Sequence, residues 1–273
     1  MYEQVLRYIS GTLLQHDMAV SNPGLLHGKA GIVVFFFHYA RYTGDKSFED
    51  HAIGLIDSIQ QQILQHYRIN YADGLAGIGV MLEYLAQNGF IDVDTNEILE
   101  DFDKEIKDAT IYGDHSDAGL FTGLSGSGRY FLFRVAGDCA NDNHIGTLDN
   151  KMMLIHITDT FERVYPSLKK PDLEDALKFL YAMKKTNIYP VKTEQLIRLF
   201  SSDISLFDQE EMKLPYQVNI EAMYNSKCNK LLSDIQRNDE TDTTPGLYGG
   251  LAGIGLYLLE KLDKQHDTWR VLL

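Results

Sequence analysis

Apolar residues recur along this chain at spacings of three and four, and in four places a short glycine motif stands directly before them. The motifs read His27-Gly28-Lys29-Ala30-Gly31-Ile32, Asp73-Gly74-Leu75-Ala76-Gly77-Ile78, Thr122-Gly123-Leu124-Ser125-Gly126-Ser127 and Gly249-Gly250-Leu251-Ala252-Gly253-Ile254. After the first, Ile32-Val33-Val34-Phe35-Phe36-Phe37 is apolar on every side, the mark of a buried helix. Gly44-Asp45 ends it, and Phe48, Ala52, Leu55, Ile56, Ile59 and Ile63 then stripe one face of an amphipathic helix. The second unit repeats the order, with an apolar helix over Ile78–Leu85 stopped at Asn88-Gly89. A second helix, opened by the capping pair Asp94 and Glu97, carries Ile98, Phe102, Ile106 and Ala109. In the third, Ser127–Val135 is the inner helix and Asn150–Tyr165 the amphipathic one.

Between Pro166 and Pro245 the motif disappears while helical periodicity continues. Leu173 to Met183 form one helix opened by Pro171-Asp172, Leu196 to Phe200 another capped by Thr193, and Ile220 to Ile235 a third. With an N-terminal helix on Val5, Ile9 and Leu13 and a last one over Ile254–Leu262, the pattern predicts about eleven helices and no comparable strand. Three of the motifs follow one another at a period of about 46 to 49 residues, which means one supersecondary unit used repeatedly around a shared core. Alternating buried and amphipathic helices at this period predict an all-α protein, an α/α toroid formed by residues 1–273 as a single domain. Strict alternation from the first motif makes the last helix outer, whereas its motif marks it as inner, so the order is irregular somewhere between residues 166 and 245.

Composition narrows the function classes. A net charge of −14 and a pI near 5.0 argue against nucleic acid, which needs a basic face. No apolar run approaches the ~18–20 residues of a membrane span. Met1-Tyr2-Glu3-Gln4 begins neither a basic nor an apolar targeting segment, so a cytoplasmic protein is expected. Two cysteines in a chain of 273 residues make no disulfide framework.

The glycines admit two readings. They turn the chain sharply into the inner helix and let backbones crowd together, or they leave helix amides facing a ligand. Gly74-x-x-Gly77-x-Gly79 and Gly123-x-x-Gly126-x-Gly128 have the wrong glycine order for a dinucleotide fingerprint, with no strand before either. Ser125 lacks the frame of a nucleophile elbow, and no phosphate-binding Gly-Lys-Ser/Thr occurs.

Taken together, the motifs and their apolar sequels resemble the lanthionine synthetase C-like family through the pattern Gly-Leu-x-x-Gly-x-Ala-Gly-Ile, over most of the chain except residues 140–245. The resemblance implies an α/α toroid and a role in ribosomal peptide modification, with a precursor peptide and a peptide dehydratase as partners. It also implies a cavity zinc, held in characterised members by a Trp-Cys-Tyr-Gly cysteine and a Cys-His-Gly pair, which activates a cysteine thiol for thioether formation. This sequence has neither motif. Its one tryptophan is Trp269, and the third and fourth glycine motifs, candidate places for a ligand-bearing motif, show Thr122 and Gly249 instead. Neither zinc nor another cofactor is therefore expected. Cys228 falls on an apolar helix stripe, and Cys139 with His144 forms only a loose loop pair.

His27 and Asp73 occupy the same repeat position, immediately before the first motif glycine. An imidazole and a carboxylate at one rim are the acid and base that thiol addition needs, and are the candidate catalytic residues; the alternative is that both cap their helices. Thr122 and the motif glycines Gly28, Gly74, Gly123 and Gly250 frame the candidate substrate site. His38, inside an apolar helix, reads as a core histidine. The chain is thus expected to be a divergent thioether cyclase or a zinc-free peptide-binding relative. The alternative class is a carbohydrate-active enzyme using Asp73 and Asp117, disfavoured by the lack of tryptophan platforms.

Overall fold

The computed structural model describes residues 2–65, 67–140, 144–207, 215–237 and 244–273, with the side chains of 139, 140, 144, 205–207 and 215–219 outside the description. Among the described residues the regular structure is entirely helical, as the apolar pattern predicts. The helices are α1 (Tyr2–His16), α2 (Lys29–Thr43), α3 (Ser47–Ile63), α4 (Leu75–Gln87), α5 (Thr95–Ile98), α6 (Glu100–Tyr112), α7 (Leu124–Ala140), α8 (His144–Val164), α9 (Lys170–Thr186), α10 (Pro190–Phe207), α11 (Pro215–Arg237) and α12 (Leu251–Leu262), followed by a 3-10 segment, Lys264–Leu272. None of these helices is long and apolar enough to cross a membrane. Contacts divide the chain into two compact units, Met1–Tyr67 with Lys213–Leu273, and Arg68–Met212.

In the first unit, α2 is buried without a break from Lys29 to Ala40 and α12 from Leu251 to Leu259, as helices apolar all round must be. They pack on each other where the Phe35 ring fills a notch at Gly255; a Cβ there would come closer than 3.0 Å to the ring. Helix α3 covers α2 with Ala52, Leu55 and Ile59. Helix α1 covers α12 with Val5, Leu6, Ile9 and Leu13. The alternation breaks at α11, which opens without a glycine motif and packs on α12, and the last motif helix takes a further amphipathic partner, α1, from the start of the chain.

The second unit repeats the scheme. Helix α4 packs on α7 through Gly79 and the Tyr130 ring, and α7 on α9 through Gly128 and the Phe179 ring. Helices α6, α8 and α10 lie against α4, α7 and α9. Two expected helix starts differ. Asp94 does cap, accepting from the Asn96 N–H at 2.9 Å, but the helix it opens lasts one turn and restarts at Glu100 after the buried Leu99. Thr193 is not a cap, since α10 begins at Pro190 and the threonine hydroxyl instead donates to the Tyr189 carbonyl at 2.9 Å.

Candidate functional site

The four glycine motifs adopt one geometry. In every copy the first two amides of the inner helix donate to carbonyls seven residues back: Lys29 and Ala30 to Asn22 and Pro23, Leu75 and Ala76 to Arg68 and Ile69, Leu124 and Ser125 to Asp117 and Ala118, Leu251 and Ala252 to Thr244 and Pro245, at 2.8–3.3 Å. Each loop is a lariat whose own carbonyls cap the helix that follows, satisfying donors that side chains satisfy elsewhere. The first glycine makes room for this. At Gly28 the backbone is extended (φ −136°), so handedness is not the reason; a Cβ would lie closer than 3.0 Å to Asn22 O and Gly24 N. These helix-opening amides are therefore engaged within the fold.

The loops also pair. Tyr248 N–H donates to Leu26 O at 2.8 Å, joining the fourth loop to the first, and Ala72 N–H donates to Phe121 O at 2.9 Å, joining the second to the third. All four residues stand two positions before their motif glycine, so the pairings are equivalent.

In the first unit this pairing puts the His27 ring edge-on to Tyr248, with centroids 6.5 Å apart. Lys29 stands where the other copies have Leu75, Leu124 and Leu251; it is buried, and its Nζ donates to Ser58 Oγ at 2.6 Å. Burial pushes the ammonium pKa down, partly opposed by the Asp17 carboxylate. At the fourth loop the buried Tyr224 hydroxyl donates to Leu247 O at 2.5 Å and accepts from the Gly249 N–H at 3.2 Å. Lys227 Nζ donates to Gly249 O at 2.5 Å. Gly249 holds φ +68°, the left-handed region that favours glycine. Beside it opens a cleft of about 100 Å³ lined by Lys227, Lys230, Asp234, Thr244, Gly249 and Leu251, among others.

In the second unit Asp73 is half-buried, and its N–H donates to Asn70 Oδ1 at 2.9 Å. Neither His27 nor Asp73 is the cap residue: Gly28 and Gly74 hold those positions, without side-chain capping bonds. Asp117 is committed to its loop, with Oδ1 accepting from the Gly119 N–H at 2.8 Å and Oδ2 from the Thr122 hydroxyl at 2.5 Å. Asn22 makes the same turn in the first copy, accepting from the Gly24 N–H. Asp175 adds a bond from the Leu120 N–H at 2.9 Å. Asp117 is thus a loop-building residue, and Trp269 is fully buried against Tyr224, so neither supports a sugar site.

A buried ion cluster gave no motif in the sequence. Arg134 of α7 forks onto Asp103 of α6 through Nε (3.0 Å) and Nη2 (2.8 Å), and its Nη1 donates to Glu83 of α4. Glu83 is fully buried, and Gly137 leaves room for its carboxyl. Burial pushes the Glu83 pKa up, against the hydrogen bonds from Arg134 and Gln87. The readable sign was a charge inside an otherwise apolar helix.

The family zinc can be tested against the donors present. The third and fourth glycine motifs offer Thr122, whose hydroxyl is bound to Asp117, and Tyr248-Gly249, which supply a phenol and backbone. Cys228 is buried on α11, and burial pushes its thiol pKa up, away from the thiolate that zinc binds. The side chains of Cys139 and His144 lie outside the described ones. Among the described residues no three His, Cys, Asp or Glu side chains group to hold a metal ion. The residues at these positions do not fit the family's zinc.

Comparison with known proteins places the fold. The model of the lanthionine synthetase C-like protein family matches residues 19–179. No curated protein and no solved structure matches the chain. The matched region contains three of the four lariat loops, the fourth repeats their hydrogen bonds at residues 244–253, and the match spans more than half of the sequence. This chain belongs to the lanthionine synthetase C-like family.

Proposed function

We propose that this protein binds a precursor peptide in ribosomal peptide modification, as a zinc-free relative of the thioether cyclases. The observation that carries the reading is the fourth loop. The lariat is intact there, yet its loop, Thr244-Pro245-Gly246-Leu247-Tyr248-Gly249-Gly250, holds no cysteine or histidine, so the frame is kept without a metal's donors. In this reading the glycine loops of each unit offer peptide contacts, His27 in the first unit and Asp73 and Thr122 in the second. Within each unit the paired loops, at Gly28 with Gly250 and at Gly74 with Gly123, act as a rigid frame, and a peptide dehydratase works on the same peptide. Rigid loops limit the ordering cost of binding.

The test is capture of the precursor peptides encoded beside this gene. His27→Ala and Asp73→Asn should each weaken capture several-fold and leave the melting temperature within a few degrees. If both variants lose several kcal/mol of stability while peptide binding is unchanged, the two side chains are structural and the site is misplaced. Recovery of no peptide, with binding of an oligosaccharide instead, would replace the peptide reading by the carbohydrate one.

A further inference from the structure

The geometry points to the cleft beside the fourth loop as a carboxylate-binding subsite for the peptide, an inference that rests on the peptide-binding reading above. Two ammonium groups, Lys227 and Lys230, one turn apart on α11, line this cleft, and Asp234 is the one carboxylate among its described lining residues. Lys227 is half-buried and fixed: its Nζ donates to Gly249 O, which leaves two N–H groups for a ligand. Gly249 maintains that placement twice. Its left-handed backbone aims the carbonyl, and a Cβ there would come within 3.1 Å of Lys227 Cε and 3.2 Å of Nζ. Lys230 is exposed and has no carboxylate partner among the described residues.

The helix amides do not supply the site, because Leu251 and Ala252 already donate to Thr244 and Pro245. The anion would be held by ammonium groups, with the exposed Thr244 at the edge of the cleft. A positive charge, supplied by Lys227, thus lies against the fourth loop. A peptide offers a carboxylate either on an acidic side chain or at its C-terminus, and the cleft recognises that shared group.

Three fluorescein-labelled dodecapeptides separate the sources by anisotropy: (Gly-Ser-Glu-Ala)3 with an amidated C-terminus, its Gln twin with the amide, and the Gln twin with a free C-terminal carboxylate. The protein's net negative charge disfavours non-specific attraction of acidic probes. We expect a carboxylate-bearing probe to bind at least about tenfold more tightly than the neutral twin, about 1.4 kcal/mol. Which of the two does so identifies the source. Lys227→Met and Lys230→Gln should each remove most of that difference, while Lys227→Arg keeps most of it and verifies folding. Equal binding of all three probes, no binding of any, or a preference untouched by both neutralising variants would overturn the subsite. The peptide-binding reading fails separately, when precursor peptides are not captured at all.

Discussion

Replacing Gly28 by alanine tests whether the lariat loops are steric devices. The new Cβ would meet backbone on every side, closer than 3.0 Å to Asn22 O, Asn22 C and Gly24 N, and no flexible side chain can yield. Relief requires the loop to move off the helix end, and that movement breaks the bonds from Lys29 to Asn22 (2.9 Å) and from Ala30 to Pro23 (3.2 Å). Two backbone hydrogen bonds at about 1 kcal/mol each, with overpacking at about 1–3 kcal/mol, give a cost of about 3–5 kcal/mol. In a chain of this size that lowers the melting temperature by on the order of 10 °C. Gly54→Ala is the internal control, since Gly54 is on the exposed face of α3 with nothing within 4 Å of its Cβ position. There alanine should stabilise by about 0.5–1 kcal/mol through helix propensity. Urea unfolding of both variants and of Gly74→Ala measures the contrast. A loss below about 1 kcal/mol at Gly28 would refute the steric argument and reopen a direct ligand role for the motif glycines.

Three further outcomes follow from buried groups. His38 and His266 face each other, Nδ1 to Nδ1 at 2.9 Å, and burial holds both pKa values down, His38 to about 3. Folded values below the unfolded one near 6.5 mean that stability is intact above that pH and falls as pH drops toward 3. His38→Phe should flatten the stability slope between about pH 6.5 and 5, and an unchanged slope would contradict the pairing. Arg134→Met should cost about 3–5 kcal/mol in denaturant unfolding by leaving Glu83 and Asp103 unpaired, and a cost below about 1 kcal/mol would show the cluster to be solvated. Cys228 should resist alkylation in the native protein and react on unfolding, as peptide mapping by mass spectrometry would show; rapid native labelling would contradict its burial.

Much of the fold could be read from the chain because its signals are local. The apolar runs of α2, α4 and α12 and the single stripe of α3 state burial directly. The glycine motifs marked the inner helix starts, and one of the two readings of the glycines, close backbone approach, matches the lariat geometry. What escaped was non-local. The packing of α1 on α12 joins opposite ends of the sequence, and no periodicity reports it. Gly79 and Gly128 enter the sequence reading only as parts of a dinucleotide motif and Gly255 not at all, whereas each receives an aromatic ring from a neighbouring helix. Lys227, beside the core position Cys228, carries no signal of its own in the sequence, and only the return of the fourth loop brings Gly249 to it. The Thr193 cap failed because Pro190 opens α10 earlier, placing the threonine inside the first turn.

The central claim is that this family member holds peptide without zinc chemistry. Its most direct test mixes the purified protein with a dehydrated, cysteine-containing precursor peptide, with chelator and with added zinc, and follows both binding and free peptide thiols. The account predicts the same affinity in both conditions and no loss of thiol beyond the protein-free control. Binding that disappears with chelator, together with zinc-dependent consumption of peptide thiols, would contradict it and make this chain a cyclase.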